Sequence, residues 1–224
     1  MTRIGIIGSG NIGGNLARLF TAAGHDVLVS FSTDAAKLAG LAASTGATAG
    51  TPAQAAAHGE VVVLSVPWGA VDEAIGQAGG PGALAGRTVI DTTNQFGRVD
   101  GRFGVLDLGG QSGAARNAAK APGAVWVKAF NTLTAGFQAS SAGRTGPDRV
   151  VMFYATDHDE AAGLAEELIS GAGFDPVRTG TLARNDVGHQ EPKGDLYGEE
   201  FHHDDAVAAV ARLRGTPPSG KGRP

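Results

Sequence analysis

The chain has 224 residues, with 18 lysines and arginines against 22 aspartates and glutamates, a formal net charge of −4, and no cysteine. Its acidic balance and the lack of a lysine or arginine cluster argue against a nucleic-acid partner, because neutralising phosphates needs a basic face. The absence of cysteine excludes disulfide scaffolds, thiolate zinc sites, iron–sulfur clusters and cysteine nucleophiles.

The start of the chain predicts a cytoplasmic protein. Residues 1–7 read as a strand and lack the basic start, long apolar stretch and small-residue cleavage site of a signal peptide. No window reaches the roughly 18 uninterrupted apolar residues that span a bilayer. We therefore expect no membrane partner and no nucleic-acid partner.

Short β-branched runs alternate along the chain with alanine- and leucine-rich stretches at helical spacing. Several runs are continuously apolar, which is typical of parallel strands covered by helices on both faces. The pattern predicts an α/β fold with a Rossmann-like, doubly wound, mostly parallel sheet extended by late strands. The predicted strands are residues 3–7, 26–29, 61–66, 88–91, 125–130, 149–155 and 176–179.

The first predicted helix shows the pattern most clearly. Leu16, Leu19, Phe20 and Ala23 follow the spacing i, i+3, i+4 and i+7, and they form one apolar stripe that faces the sheet. Gly24 stands at the usual helix-stop position. Later predicted helices depend on alanine, whose small side chain lets helix and sheet approach closely. They span residues 35–43, 52–57, 114–120 and 205–214.

A glycine-rich sequence joins the first strand to the first helix. In this context the G-x-G-x-x-G pattern predicts dinucleotide binding, and the alternative is an ordinary glycine-rich turn. The first glycine permits the tight turn, the second leaves room for a pyrophosphate, and the third lets helix and strand pack. The helix N-terminus then offers unpaired N–H groups to the phosphates. The residues are Gly8, Ser9, Gly10, Asn11, Ile12 and Gly13.

The end of the second strand decides between NAD and NADP in such folds, because a carboxylate there accepts the ribose 2′-hydroxyl and repels a 2′-phosphate. No acid occupies the first positions, and the hydroxyls are suited to hold a phosphate together with a lysine. NADP is the predicted cofactor, and an inward turn of Asp34 would weaken or invert this preference. The same hydroxyls and Asp34 also suit a helix N-cap. The predicted contacts are Ser30, Phe31, Ser32, Thr33 and Lys37.

Two further strand ends meet the same edge of the predicted sheet, where ligands of open α/β sheets bind. Ser65, Val66 and Pro67 follow one strand, and Pro67 fixes a rigid lip near a bound ribose. Asn94 follows the next strand and is placed to orient a carboxamide. Trp68 either caps the core or faces the ligand.

Five segments together resemble the NADPH-dependent coenzyme F420 oxidoreductase family, from about residue 3 to about residue 180. The resemblance implies that NADP lies across the strand ends, with coenzyme F420 or a flavin stacked on the nicotinamide as a small-molecule redox partner. It adds Ala129 and Asn131 to the cofactor contacts, and a homodimer is a candidate assembly. The segments are residues 8–13, 24–27 (Gly-His-Asp-Val), 65–67 (Ser-Val-Pro), 91–94 (Asp-Thr-Thr-Asn) and 127–132 (Val-Lys-Ala-Phe-Asn-Thr).

The implied activity is NADP-dependent hydride transfer, which needs positioning and water exclusion more than acid–base groups because the cofactors carry the reactivity. No catalytic residue is predicted. Two alternatives stay open: a non-catalytic NADP(H)-sensing module, and a reductase of a small carbonyl or imine. The latter needs a proton donor near the nicotinamide, for which Lys128 and His189 are only weak candidates. The sequence contains neither a G-x-S-x-G motif nor a phosphate loop, which excludes those hydrolases and NTPases.

The polar C-terminal part suggests a second structural unit. Residues 1–180 form the predicted NADP-binding domain, and residues 181–224 form a small segment with one helix and a disordered tail at 215–224. The run at 202–205 (His-His-Asp-Asp) invites a metal interpretation, but neighbouring side chains diverge too far to share one ion. We predict no metal site, and we expect Asp204 or Asp205 to cap the last helix.

Overall fold

The computed structural model describes residues 1–31 and 33–220. The predicted phosphate contact at Ser32 and the last four residues of the predicted tail lie outside the described residues. Within them the strands are β1 (Arg3–Ile7), β2 (Asp26–Ser30), β3 (Thr48–Ala49), β4 (Val61–Leu64), β5 (Thr88–Asp91), β6 (Phe96–Val99), β7 (Arg102–Val105), β8 (Val125–Ala129), β9 (Val151–Thr156) and β10 (Asp175–Gly180).

Eight of these strands form one sheet in the order β10-β9-β8-β5-β4-β1-β2-β3. Every pair in it is parallel except β8 with β9. The carboxyl ends of β1, β2, β4, β5 and β8 therefore meet at one edge. The predicted Rossmann-like, doubly wound α/β fold is confirmed, and all seven predicted strands are present to within two residues.

Helices cover both faces of the sheet. They are α1 (Asn11–Ala22), α2 (Ala35–Thr45), α3 (Pro52–His58), α4 (Val71–Gln77), α5 (Gly113–Ala118), α6 (Ala135–Ser141), α7 (Asp159–Gly171), α8 (Arg184–Val187) and α9 (His203–Leu213). One core lies between the sheet and α1, α2, α6 and α7, and a second lies between the sheet and α3, α4, α5 and α8. Helix α9 packs on β9 and β10 through a smaller cluster.

Helix α1 follows most of its predicted pattern. Leu16 and Phe20 are completely buried, and Leu19 is partly buried against the same core. Ala23 is exposed, because it lies at the C-cap beyond the last helical residue. Gly24 ends the helix at a φ of +85°, and the N–H groups of Gly24 and His25 donate to the carbonyls of Thr21 and Phe20. This is the left-handed glycine termination that the sequence predicted.

Three strands were not predicted from the sequence. Strand β3 has only two residues, and β6 and β7 form a separate antiparallel hairpin. Asp100 and Gly101 connect this hairpin at φ values of 50° and 79°. Asp-Gly is a strong signal for a two-residue hairpin turn, but the flanking strands contain glycine and arginine and lack apolar alternation.

The predicted cap of the last helix is wrong. Helix α9 begins earlier than its apolar pattern indicates, with His202 at the N-cap and without a side-chain cap bond. Asp204 and Asp205 lie in the first turn instead, where their charges favour the helix dipole.

None of the helices in the described part of the chain combines the length and apolar character that crossing a membrane requires.

Helix α1 approaches the turn that follows β1 very closely at Gly13. A Cβ atom built there would lie 1.9 Å from the carbonyl oxygen of Gly8. We expect Gly13→Ala to lower the free energy of unfolding by about 1–3 kcal/mol, as overpacking does. In the same helix, a Cβ on Gly14 would lie 3.4 Å from the side-chain end of Leu41, which is ordinary contact distance. Gly14→Ala should therefore keep or raise stability in chemical denaturation, and equal losses in both variants would contradict this packing argument.

Candidate functional site

A cavity of about 600 Å³ opens at the carboxyl ends of β1, β2 and β4. It lies at the sheet edge where open α/β folds bind ligands. Nine of the predicted cofactor contacts line it: Gly8, Ser9, Gly10, Phe31, Thr33, Lys37, Ser65, Val66 and Pro67. The structure therefore brings together the glycine loop, the end of β2 and the end of β4.

The glycine loop forms the floor of this cavity. Gly8 has a φ of +128°, and a Cβ there would lie 1.9 Å from the carbonyl oxygen of Ser65. A Cβ on Gly10 would meet no protein atom within 4 Å, so the space above it is open. Gly10 is also the N-cap of α1, and no side chain caps the helix in the described residues. The first N–H groups of α1 are thus available to a diphosphate.

The end of β2 turns sharply at Phe31, which has a φ of +60° although it is not glycine. Its carbonyl oxygen accepts a hydrogen bond of 3.3 Å from the hydroxyl of Ser9. Asp34 follows as the N-cap of α2, where its carboxylate accepts from the N–H groups of Ala36 and Lys37 at 2.9 and 3.1 Å. The N-cap interpretation is confirmed for Asp34, while Thr33 and the Lys37 side chain line the cavity.

Ser30 requires a correction. Its side chain is completely buried, and its hydroxyl donates to the carbonyl oxygen of Ile6 at 2.9 Å. The side chain therefore joins two strands and does not reach the cavity. The side chain of Ile12 packs against the core, and Gly13 is buried against the carbonyl group of Gly8. Both residues therefore offer at most backbone groups to a ligand. Asn11, by contrast, is exposed.

Asn94 and Asn131 meet at the ends of β5 and β8, outside the lining of the large cavity. The Nδ2 group of Asn94 donates to the backbone oxygen of Asn131 at 2.9 Å, and the Nδ2 group of Asn131 donates to Oδ1 of Asn94 at 3.0 Å. Asn131 also donates to the backbone oxygen of Gln190 at 2.7 Å. Ala129 is 1% exposed within β8, so only its backbone is near this edge.

A buried ion pair supports these two strand ends. Lys128 is 1% exposed, and its ammonium group donates to Asp91 at 3.1 Å and to the backbone oxygen of Thr93. Asp91 also accepts from the Thr93 N–H group at 2.8 Å and from the side chain of Asn117 at 3.1 Å. Lys128 is therefore a structural residue, because its ammonium group is engaged within the protein.

Glu191 completes this buried cluster from the C-terminal segment. Its residue surface is entirely buried, and Oε1 accepts from the N–H group of Ala114 at 2.9 Å. Oε2 has no hydrogen-bond partner among the described residues. Burial raises the pKa of the Glu191 carboxyl, and the nearby charge of Lys128 opposes that rise. The sequence predicted no role for Glu191.

His189 is also unsuited to donate a proton to a ligand. It is 2% exposed, with Nδ1 at 2.8 Å from Oδ2 of Asp195 and Nε2 at 2.9 Å from the carbonyl oxygen of Thr216. Both ring nitrogens are thus engaged within the protein. No group of three or more His, Asp and Glu side chains suited to a metal occurs in residues 1–31 and 33–220.

Aromatic rings adjoin the amide pair and were not predicted as site residues. The hydroxyl of Tyr197 accepts from Asn94 at 3.4 Å, and burial raises the pKa of this phenol. Phe96 contacts the Tyr197 ring and stacks on Phe103 at 5.3 Å, and Phe103 is 79% exposed. Trp68, by contrast, packs against Gly113 of α5 and does not line the large cavity.

Comparison with known proteins adds a family to this geometry. Residues 3–95, from β1 to just past β5, match the family described as NADP oxidoreductase, coenzyme F420-dependent. The matched part covers 93 of the 224 residues of the chain. The resemblance predicted from the sequence is thereby confirmed, and the protein is an NADP-dependent oxidoreductase. An NADP(H)-sensing module without activity is not retained. No protein with a curated description matches the sequence.

Solved structures extend the likeness over most of the chain. A hypothetical protein of Sinorhizobium meliloti is 32% identical over 91% of this chain and 97% of its own, with a TM-score of 0.79. A protein of Arthrobacter sp. FB24, described as a candidate F420-dependent NADP reductase, shares the fold at 22% identity, a TM-score of 0.70, and coverage of 81% and 86%. An imine reductase of Aspergillus terreus, in complex with NADPH4 and dibenz[c,e]azepine, is 25% identical over 85% of this chain but only 59% of its own, with a TM-score of 0.63.

The charge of Glu191 generates a prediction about pH. Because its pKa is raised in the folded state, the unfolded chain releases this proton first, and wild-type stability falls as pH rises above the ordinary value of 4.5. Glu191→Gln does not titrate, so its stability relative to wild type should increase with pH, by about 1.4 kcal/mol per unit of pKa shift. Urea denaturation at about pH 5 and about pH 8 measures this difference. A pH-independent difference for Glu191→Gln would contradict the assignment.

Proposed function

We propose that the enzyme transfers hydride between NADP(H) and a second redox partner that is the deazaflavin coenzyme F420 or a flavin. Residues 1–180 are the proposed NADP-binding domain, and residues 181–224 are the proposed C-terminal segment. The observation that carries the proposal is the open space above Gly10, at an uncapped helix N-terminus inside the cavity formed by three strand ends. This arrangement fits a dinucleotide, whose nicotinamide supplies the hydride when it is bound.

The protein's own contribution is binding and orientation. In this proposal the N–H groups at the start of α1, with Ser9, hold the diphosphate. Pro67 and the neighbouring Ser65 and Val66 line the cavity beside the ribose. Thr33 and Lys37 hold the 2′-phosphate, since Asp34 is engaged in capping α2.

The nicotinamide end lies, in this proposal, toward Asn94 and Asn131. Their paired amides fix the ends of β5 and β8, which the Asp91–Lys128 ion pair joins below them. A side chain held by two hydrogen bonds loses little further freedom on binding, so it orients a carboxamide at low cost. Direct hydride transfer then depends on alignment and on exclusion of water more than on an acid or base.

The enzyme assay tests this function directly. We expect NADPH to be oxidised with oxidised coenzyme F420 or with a flavin at rates well above the protein-free background. The loss of reduced-nicotinamide absorbance measures this oxidation. A ferric chelate is a third acceptor to include. Failure of every acceptor with folded, NADP-binding protein would overturn the proposal.

A reductase of small imines or carbonyls is the second candidate. Tyr197 favours it, because its protonated phenol lies at hydrogen-bond distance from Asn94 and could supply the proton that such substrates need. The imine reductase neighbour is also consistent with it. Tyr197→Phe should abolish imine reduction but leave deazaflavin or flavin reduction nearly unchanged, and the two activities of one preparation separate the candidates.

Cofactor preference yields a further prediction. Lys37→Ala should weaken NADP binding about tenfold, the value of one charged phosphate contact, and leave NAD binding unchanged. Arg18→Ala removes an exposed cation that does not line the cavity, and it serves as the matched control. Calorimetric titration with both nucleotides measures the effect. If Lys37→Ala weakened NADP and NAD equally, the 2′-phosphate would not lie at Lys37.

A further inference from the structure

A second cavity, of about 270 Å³, lies beside the proposed nicotinamide end. Gln95, which directly follows Asn94, forms part of its wall. The rest of the wall comes from the end of β7 and the loop after it, from Arg184 and Gly188, from the turn at residues 192–194, and from Pro218 and Gly220. This cavity shares none of the residues that line the nucleotide cavity.

Unpaired polar groups converge on this second cavity. Arg184 and Lys193 line it, and neither side chain has an ion pair or hydrogen bond with another described residue. Asp107 is the acid in its wall, and its carboxylate accepts from the Gly109 N–H group. Gln95 is 5% exposed, and its Oε1 atom lies on the side of Gly113 in α5, without a hydrogen donor in the described part of the chain. Only the Nε2 group of this amide can donate to an anion. The cavity therefore offers more positive than negative charge, together with a buried amide.

Lys193 occupies a strained position in this wall. The Gly194 N–H group donates to the carbonyl oxygen of Glu191 at 2.8 Å and closes a turn with Pro192 and Lys193 at its centre. Lys193 has a φ of +69°, at the turn position where glycine or asparagine is usual. Strain of this kind persists mostly at functional sites. The lysine therefore occupies a place where glycine would be more stable.

Hydrogen bonds hold the opposite wall in place. The Nε2 atom of His189 lies at 2.9 Å from the carbonyl oxygen of Thr216. The carboxylate of Asp195 accepts from the Ser219 N–H group at 3.0 Å. A Cβ on Gly188 would lie 2.8 Å from Pro218, so the chain segment at 216–219 is packed closely against the turn. The cavity is thus built by specific contacts.

We propose that this cavity binds the anionic group of the second redox partner, a carboxylate or phosphate attached to the ring that receives the hydride. Arg184 and Lys193 supply the charge, and the Gln95 amide supplies a neutral hydrogen-bonding group. The inference rests on the proposed function and deepens it, because it selects acidic acceptors over neutral ones. Gln95 in the cavity wall directly follows Asn94, so this cavity adjoins the place proposed for the ring.

Two matched pairs of compounds test this inference. FMN and riboflavin differ by one phosphate, and coenzyme F420 and 8-hydroxy-5-deazariboflavin differ by the anionic chain. Fluorescence titration in saturating NADP measures binding without turnover. We expect the wild type to bind the anionic member of at least one pair about tenfold more tightly. The double variant Arg184→Ala, Lys193→Ala should bring the two members to within roughly twofold, with the neutral member unaffected.

The control is Arg116→Ala with Arg212→Ala, which removes two exposed cations that do not line the cavity. A preference for the anion that survives in Arg184→Ala, Lys193→Ala, or that disappears equally in the control, overturns the inference. Binding of both members without any preference in the wild type overturns it as well. If none of the four compounds binds, the proposed function itself fails, and that result is distinct from the others.

A single variant separates ligand binding from a structural role of Lys193. Lys193→Gly relieves the strain of the positive φ, so it should raise the melting temperature. It should at the same time weaken the binding of the anionic member of the pair. A rise in stability with unchanged anion binding would show that Lys193 does not contact the ligand.

Discussion

The contact between Gly13 and the carbonyl oxygen of Gly8 determines where helix α1 begins relative to β1. Because no Cβ intervenes, the helix starts almost on top of the strand, and its uncapped N–H groups open onto the cavity above Gly10. The same constraint acts at Gly8, where a side chain would collide with Ser65 of the neighbouring strand end. Backbone packing therefore creates the phosphate site before any polar side chain contributes to it.

The buried ion pair between Lys128 and Asp91 holds together the strand ends that carry Asn94 and Asn131. Removing Lys128 or Asp91 alone would leave an unpaired buried charge, so the pair constrains β5 and β8 to lie together. Glu191 brings the C-terminal segment to this cluster, and Asn131 donates to the backbone of Gln190 beside it. The polar segment after β10 is thus attached to the sheet by buried hydrogen bonds, and it shapes the edge next to Asn94.

Local patterns predicted the parts of the fold that depend on local physics. The apolar runs gave the seven strands, and the context of Gly8 and Gly13 gave the turn. Ser30 was misjudged because a hydroxyl at a strand end indicates a ligand contact only if its side chain faces the edge, and here it bonds to Ile6. Glu191 was missed because its burial results from packing against Ala114, which is distant in sequence. No spacing in the chain encodes that contact.

Backbone strain marks both proposed ligand sites. Among the described residues other than glycine, positive φ occurs at Phe31, Asp100, Phe130 and Lys193. Phe31 lines the nucleotide cavity and Lys193 lines the second one, whereas Asp100 belongs to a hairpin turn and Phe130 packs in the core. Each strained residue costs on the order of 1–3 kcal/mol, which the surrounding fold must offset. Glycine at position 193 would relieve this strain in a single substitution, and it would remove the charge of the lysine.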